Sequence, residues 1–181
     1  ESWRPDVRAA LEAGCDVVAG LHYVLADDDE FARLASSHGA TIHDVREPPD
    51  DVPLARGTAA SVDARVVLTV GTDGDVGKMT TSVELVRAAR ERGIDAGFVP
   101  TGQTGIVVAG WGVAIDRVPA DFVSGAVERM IHRAAAEHDL LVVEGQGSIT
   151  HPAYSADTVG ILHGAIADAR ALVHDADREA L

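Results

Sequence analysis

The chain has 181 residues, 46% apolar and only 4% aromatic, with 29 acidic against 15 basic side chains and a formal charge of −14. That is enough for one full domain and part of another, with a core of Val, Ala, Leu and Ile. The charge argues against a nucleic-acid or anionic-membrane partner, no run of 18 apolar residues offers a membrane span, and the single cysteine, Cys15, rules out an internal disulfide or a cysteine-based metal site.

The first five residues, Glu-Ser-Trp-Arg-Pro, lack the basic-then-apolar pattern of a signal peptide and an initiator Met, so the expectation is a cytoplasmic protein read from a piece of a longer chain. Asp outnumbers Glu, and Lys78 is the only lysine. An Asp-rich, Lys-poor surface suggests a halophilic, salt-adapted protein; a GC-rich genome, which replaces Lys with Arg, is the alternative.

In chain order, 5–13 reads as a short helix ended by Gly14, 16–20 as a buried strand, 27–38 as a helix with acids in its first turn, and 41–45 as a second strand. Residues 1–46 therefore look like the C-terminal part of a Rossmann-like domain. The acidic, proline-bearing stretch 47–63 reads as a linker. The second domain is expected over 64–181, truncated at its C-terminus. It opens with the apolar strand 65–70, of a kind buried on both faces of a parallel sheet. A glycine-bearing loop, 71–77, follows. Next comes a helix over 78–92 with Met79, Val83 and Val86 on one face, then a strand at 95–99 and a polar loop at 100–105. Residues 106–115 are apolar but carry two glycines and give no firm assignment. A helix over 120–138, a strand at 140–143 ending on Glu144, a loop to 156, a helix over 157–167 and a strand at 170–174 complete the pattern. Alternating strands and helices predict right-handed crossovers and a mostly parallel sheet flanked by helices, an α/β fold of the P-loop NTPase type. Ligands of such sheets bind beyond the carboxyl ends of the strands, where three polar loops are expected to meet.

Gly71-Thr72-Asp73-Gly74-Asp75-Val76-Gly77-Lys78-Met79-Thr80-Thr81 lies between a strand and a helix, the context of a phosphate-binding P-loop. Glycines let backbone N–H groups turn toward phosphate oxygens, the helix N-terminus adds partial positive charge and Lys78 a full one. A compact ammonium fits such a cradle where a planar guanidinium is too wide. Met79 stands where a Mg²⁺-binding Ser or Thr is usual, so Thr80 with Glu144 is the metal pair expected if Mg²⁺ is used. Glu144-Gly-Gln-Gly-Ser148 at a strand end offers an acid beside the P-loop. Glu144, His151 and His163 are the candidate acid–base groups. Thr101, Gln103, Thr104, Gln146 and Ser148 are candidate substrate contacts. Asp116 and Asp121 are further candidate metal ligands, Asp121 equally a helix N-terminal acid.

The P-loop run, Pro100-Thr-Gly-Gln-Thr-Gly-Ile106, Asp121-Phe-Val-Ser-Gly-Ala126, Glu144-Gly-Gln-Gly-Ser148, His151-Pro152 and Leu162-His-Gly164 together resemble the D-glutamate N-acetyltransferase-like family, formerly a domain family of unknown function. The resemblance implies a Rossmann-like N-terminal domain, a C-terminal P-loop domain, and acetyl transfer from acetyl-CoA to the amine of a D-amino acid such as D-glutamate. It also implies an enolase-type racemase as functional partner; a homo-oligomer is a further expectation. More distantly, the P-loop and Val143-Glu-Gly-Gln-Gly147 resemble dethiobiotin synthetase, which would imply ATP with Mg²⁺ and ligase or kinase chemistry. A non-catalytic nucleotide-binding module is the third reading.

Overall fold

A computed structural model describes residues 2–177. The chain divides into two compact units, Glu1–Glu47 and Pro48–Leu181. In the first, helices α1 (Arg4–Glu12) and α2 (Asp29–His38) accompany two parallel strands, β1 (Val17–Ala19) and β2 (Ile42–Asp44). Asp28 caps α2 by accepting the N–H groups of Glu30 and Phe31, and Gly39 ends it in the left-handed conformation at φ 68°. Leu11, Leu25 and Phe31 form its fully buried centre.

The second unit holds a four-stranded, all-parallel sheet in the order β4-β5-β3-β6. Its strands are β3 (Arg65–Gly71), β4 (Ala96–Val99), β5 (Leu140–Val143) and β6 (Ala169–Val173). Helix α3 (Lys78–Glu91) packs on one face, where Val86 and Ala89 meet Ala96 and Val142. Helices α5 (Ala120–Ala135) and α6 (Ser155–Ala165) cover the other face with Val127, Ile131 and Ile161 against Val66, Leu68, Leu141 and Val143. The α/β class, the parallel sheet and the flanking helices match the sequence reading.

Three local expectations change. The buried face of α3 runs through Lys78, Ser82, Val86 and Ala89, while Met79 and Val83 are only half-buried. The polar loop expected at 100–105 instead becomes a short helix, α4 (Gln103–Ala109), because Glu144 captures the N–H groups that precede it and Gly110 ends it at φ 73°. The stretch expected as a linker packs on α5: Glu128 accepts the N–H groups of Arg56 (2.9 Å) and Thr58 (2.7 Å), and Ala59 is buried in the core. A Cβ on Gly125 would lie 1.8 Å from the Pro53 carbonyl oxygen, so the residue must be glycine for the chain to pass. No helix among the described residues is long and apolar enough to cross a membrane.

Candidate functional site

Parallel pairing puts all four strand ends on one rim, and the sheet order sets the sequence of groups along it: Thr101 after β4, Glu144 after β5, the P-loop after β3, His174 after β6. The loop 72–77 turns through two left-handed residues, Asp75 at φ 54° and Gly77 at φ 96°. Asp75 carries a Cβ, and a side chain held there costs on the order of 1 kcal/mol or more. Alternating handedness of this kind curls N–H groups toward a common centre, although the Thr72 N–H already donates to the Val173 carbonyl (3.1 Å) and the Gly74 N–H to Asp73 Oδ1 (2.6 Å). A Cβ built on Gly74 or Gly77 meets nothing within 4 Å, so open space adjoins the loop at both glycines. At its base Lys78 is buried, and its Nζ donates to the Asp73 carbonyl at 2.6 Å. Lys78, the first residue of α3, is thus a floor residue of the loop and does not face solvent. The loop, the N-terminus of the 14-residue α3 and the buried ammonium fit a phosphate group.

Glu144 is 4% exposed. Its Oε2 accepts the N–H groups of Thr101 (3.0 Å) and Gly102 (3.1 Å), and its carbonyl accepts the Thr101 hydroxyl at 2.7 Å. Gln146 Nε2 donates to Thr101 Oγ1 at 3.1 Å. Burial drives the Glu144 carboxyl above the usual carboxylate range; the Thr101 and Gly102 amides, Gln146 and the Lys78 charge pull the other way without cancelling it. A Cβ on Gly105 would fall 2.4 Å from Glu144 Oε2, so the first turn of α4 needs glycine to approach the carboxylate.

A chain of hydroxyls joins this cluster to the P-loop. The Gly145 N–H donates to Thr69 Oγ1 (3.0 Å), Thr69 Oγ1 lies 3.0 Å from Ser82 Oγ, and Ser82 Oγ donates to the Lys78 carbonyl (2.9 Å). Thr69 and Ser82 are fully buried. Every donor has one acceptor if the Thr69 hydroxyl donates to Ser82.

Among the sequence candidates, the structure gathers Glu144, Thr101, Gln146 and Lys78. Ser148 joins them through Thr150, whose hydroxyl lies 2.8 Å from Ser148 Oγ and donates to the Thr72 carbonyl at 3.4 Å. Gln103 is half-buried and Thr104 exposed in the first turn of α4, and neither hydrogen-bonds to the cluster. His151 stacks on Tyr154 at 4.6 Å, and its Nδ1 accepts the Ala153 N–H. His163 is exposed on α6 with no hydrogen bond to the cluster. Thr80 is exposed, about 200° around α3 from Lys78, and is not brought to Glu144; Ser82 is the hydroxyl on the Lys78 face. Among the described residues, no three His, Cys, Asp or Glu side chains gather as a metal site.

Sequence reasoning missed Thr69, Ser82, Gly105 and His174. His174 Nδ1 lies 3.0 Å from Thr72 Oγ1, on the side of the P-loop away from Glu144. It also missed Asp157, whose carboxyl is pushed up by burial and then by the nearby Asp116 charge. Only Thr69, a polar residue inside an otherwise apolar strand, and Gly105, in a glycine-rich run, left any local signal.

The P-loop domain model of the DUF1611 family, a domain of unknown function, matches residues 53–181, and the family's N-terminal Rossmann-like domain matches 1–48. The chain belongs to the DUF1611 family. It is 42% identical over 178 residues to a D-glutamate N-acetyltransferase from Pseudoalteromonas, covering 98% of this chain and 53% of that protein. To one from Tritonibacter scottomollicae it is 40% identical over 179 residues, with the same coverage. The crystal structure of a DUF1611 family protein from Anabaena variabilis superposes with a TM-score of 0.93 at 42% identity, covering 98% of this chain and 51% of that one. The chain thus spans about half the length of the curated relatives it matches.

Proposed function

We propose that the chain carries the P-loop half of an N-acetyltransferase that moves an acetyl group from acetyl-CoA to the amine of a D-amino acid such as D-glutamate. The observation that carries this reading is the buried carboxylate of Glu144, held by two backbone N–H groups and joined through Thr69 and Ser82 to the base of the P-loop. The names of the two curated relatives support the reaction class. Bound acetyl-CoA would supply a thioester carbonyl, with its phosphates held by the 72–77 backbone and Lys78. In this reading Glu144, its carboxyl raised by burial, accepts the proton that the acceptor amine loses as the C–N bond forms and the C–S bond breaks. The Gly145 N–H is committed to Thr69, so any backbone stabilisation of the developing oxyanion falls to Gln146, Gly147 and Ser148.

The alternative is Mg·ATP-dependent ligase or kinase chemistry, for which Glu144 beside a P-loop is the supporting observation. Thermal shift separates the two, because whatever binds the native state stabilises it. Acetyl-CoA in EDTA should raise the melting temperature, and Lys78→Ala should abolish that rise. The full-length protein should release thiol in EDTA when offered D-glutamate. Mg·ATP stabilisation and hydrolysis that need Lys78, with no thiol released for any D-amino acid, would replace this reading by the alternative.

A further inference from the structure

Among the described residues β4 pairs with β5 alone, so no strand covers its other edge. Asp95 and Val99 turn their carbonyls to the neighbouring strand, to Leu140 and Glu144, so alternation points the N–H and C=O groups of Ala96 and Phe98 outward. Arg90 Nε takes the Ala96 carbonyl at 2.8 Å. Phe98 borders a cavity of about 560 Å³ that α3, the end of α4 and the end of α5 enclose around this edge. None of the P-loop residues and none of the Glu144 cluster lines it.

The cavity has an apolar side, with Val86, Phe98 and the Trp111 indole, and a charged side with three arginines and two glutamates. Arg133 lies over the Trp111 ring at 4.9 Å. Among the described residues neither Arg90 nor Arg133 pairs with a carboxylate, although the chain holds 29 acids to 15 bases. Glu91 and Glu137 stand on the same side and close an ion pair with neither; Arg87, also there, is paired with Glu84. Two guanidinium groups with no carboxylate partner thus line a cavity that also presents two aromatic rings. Guanidinium groups bind carboxylate, sulfonate or phosphate oxygens in pairs, and the volume is that of a small-molecule site.

We infer that the open edge of β4, between Arg90, Arg133 and Trp111, is a second binding site, for a small ligand with a planar apolar body and one anionic head. The probe is 8-anilinonaphthalene-1-sulfonate, titrated into the Trp3→Phe chain so that Trp111 is the sole tryptophan. The expected result is one saturable site whose filling quenches Trp111 by energy transfer. Arg90→Gln with Arg133→Gln should weaken binding about tenfold. The uncharged N-phenyl-1-naphthylamine should bind about as weakly as that variant does the sulfonate, and Lys78→Ala should bind as the parent does. Both arginines are exposed, so the double variant should keep its circular dichroism. Binding that leaves Trp111 unquenched, or is indifferent to the arginines or to the probe's charge, overturns the assignment. So does a chain that sediments as a dimer with Trp111 shielded from acrylamide and no probe taken up, which would give this edge to a second copy.

Discussion

Replacing Thr69 by Val keeps the side-chain volume and removes one buried hydroxyl. In the wild type that hydroxyl accepts the Gly145 N–H at 3.0 Å and contacts Ser82 Oγ at 3.0 Å. Ser82 keeps its bond to the Lys78 carbonyl, so the loss falls on the Gly145 amide, left buried without an acceptor. A stranded buried donor costs about 1–3 kcal/mol, so about 2 kcal/mol is expected. For a chain of this length that is a melting temperature lower by about 4–8 °C. Thr69→Ser removes a methyl but keeps the hydroxyl, and should cost only about 1 kcal/mol. The order is the reverse of what a purely apolar core would give, where the volume-conserving change is the milder one. Urea titration of both variants reads the stabilities, and amide exchange reads Gly145 directly, fast in the Val variant and slow in the Ser variant. A cycle with Ser82→Ala should return a coupling of about 0.5 kcal/mol or more, since the two hydroxyls share a network. A Val variant as stable as wild type, with the Gly145 amide still protected, would refute the claim that Thr69 ties β5 to the P-loop helix.

Glu144 has a carboxyl raised in the folded state, so its ionisation favours the unfolded chain, and its penalty grows as pH rises from the unfolded value through the folded one. Glu144→Gln should therefore gain in melting temperature relative to wild type as pH goes from about 4 to 8; a constant difference across that range would count against the burial argument. Glu128 is the opposite case. Burial alone would raise its carboxyl, but the N–H groups of Arg56 and Thr58, with the Thr58 hydroxyl and the Ala59 N–H, outweigh it and hold the carboxyl below its usual range. Its stabilisation is present above the unfolded value and lost as pH falls through the folded one, so Glu128→Gln should lower stability at pH 7 by about 1–3 kcal/mol and flatten the acid limb of the melting curve. With a formal charge of −14, the melting temperature should rise between dilute buffer and molar KCl as the surface acids are screened; a flat curve would leave base composition as the better account of the single lysine.

The sequence by itself determined what is local. The apolar run of β3, the glycines after it and the lone Lys78 before an amphipathic helix specify a strand–loop–helix P-loop, because backbone freedom, helix polarity and cation size are properties of neighbouring residues. Alternation of strands and helices specified a parallel sheet through the handedness of crossovers. The order of the strands was decided only by tertiary structure. β5 inserts between β4 and β3, and this places Glu144 between Thr101 and Lys78 although 43 residues separate it from Thr101. The raised Glu144 carboxyl, the Gly145–Thr69 link, the helix that replaces the expected loop at 103 and the meeting of Thr72 with His174 all follow from that order. Each depends on groups distant in sequence: desolvation and hydrogen bonding are set by what the fold packs against a residue, and no window along the chain contains both partners.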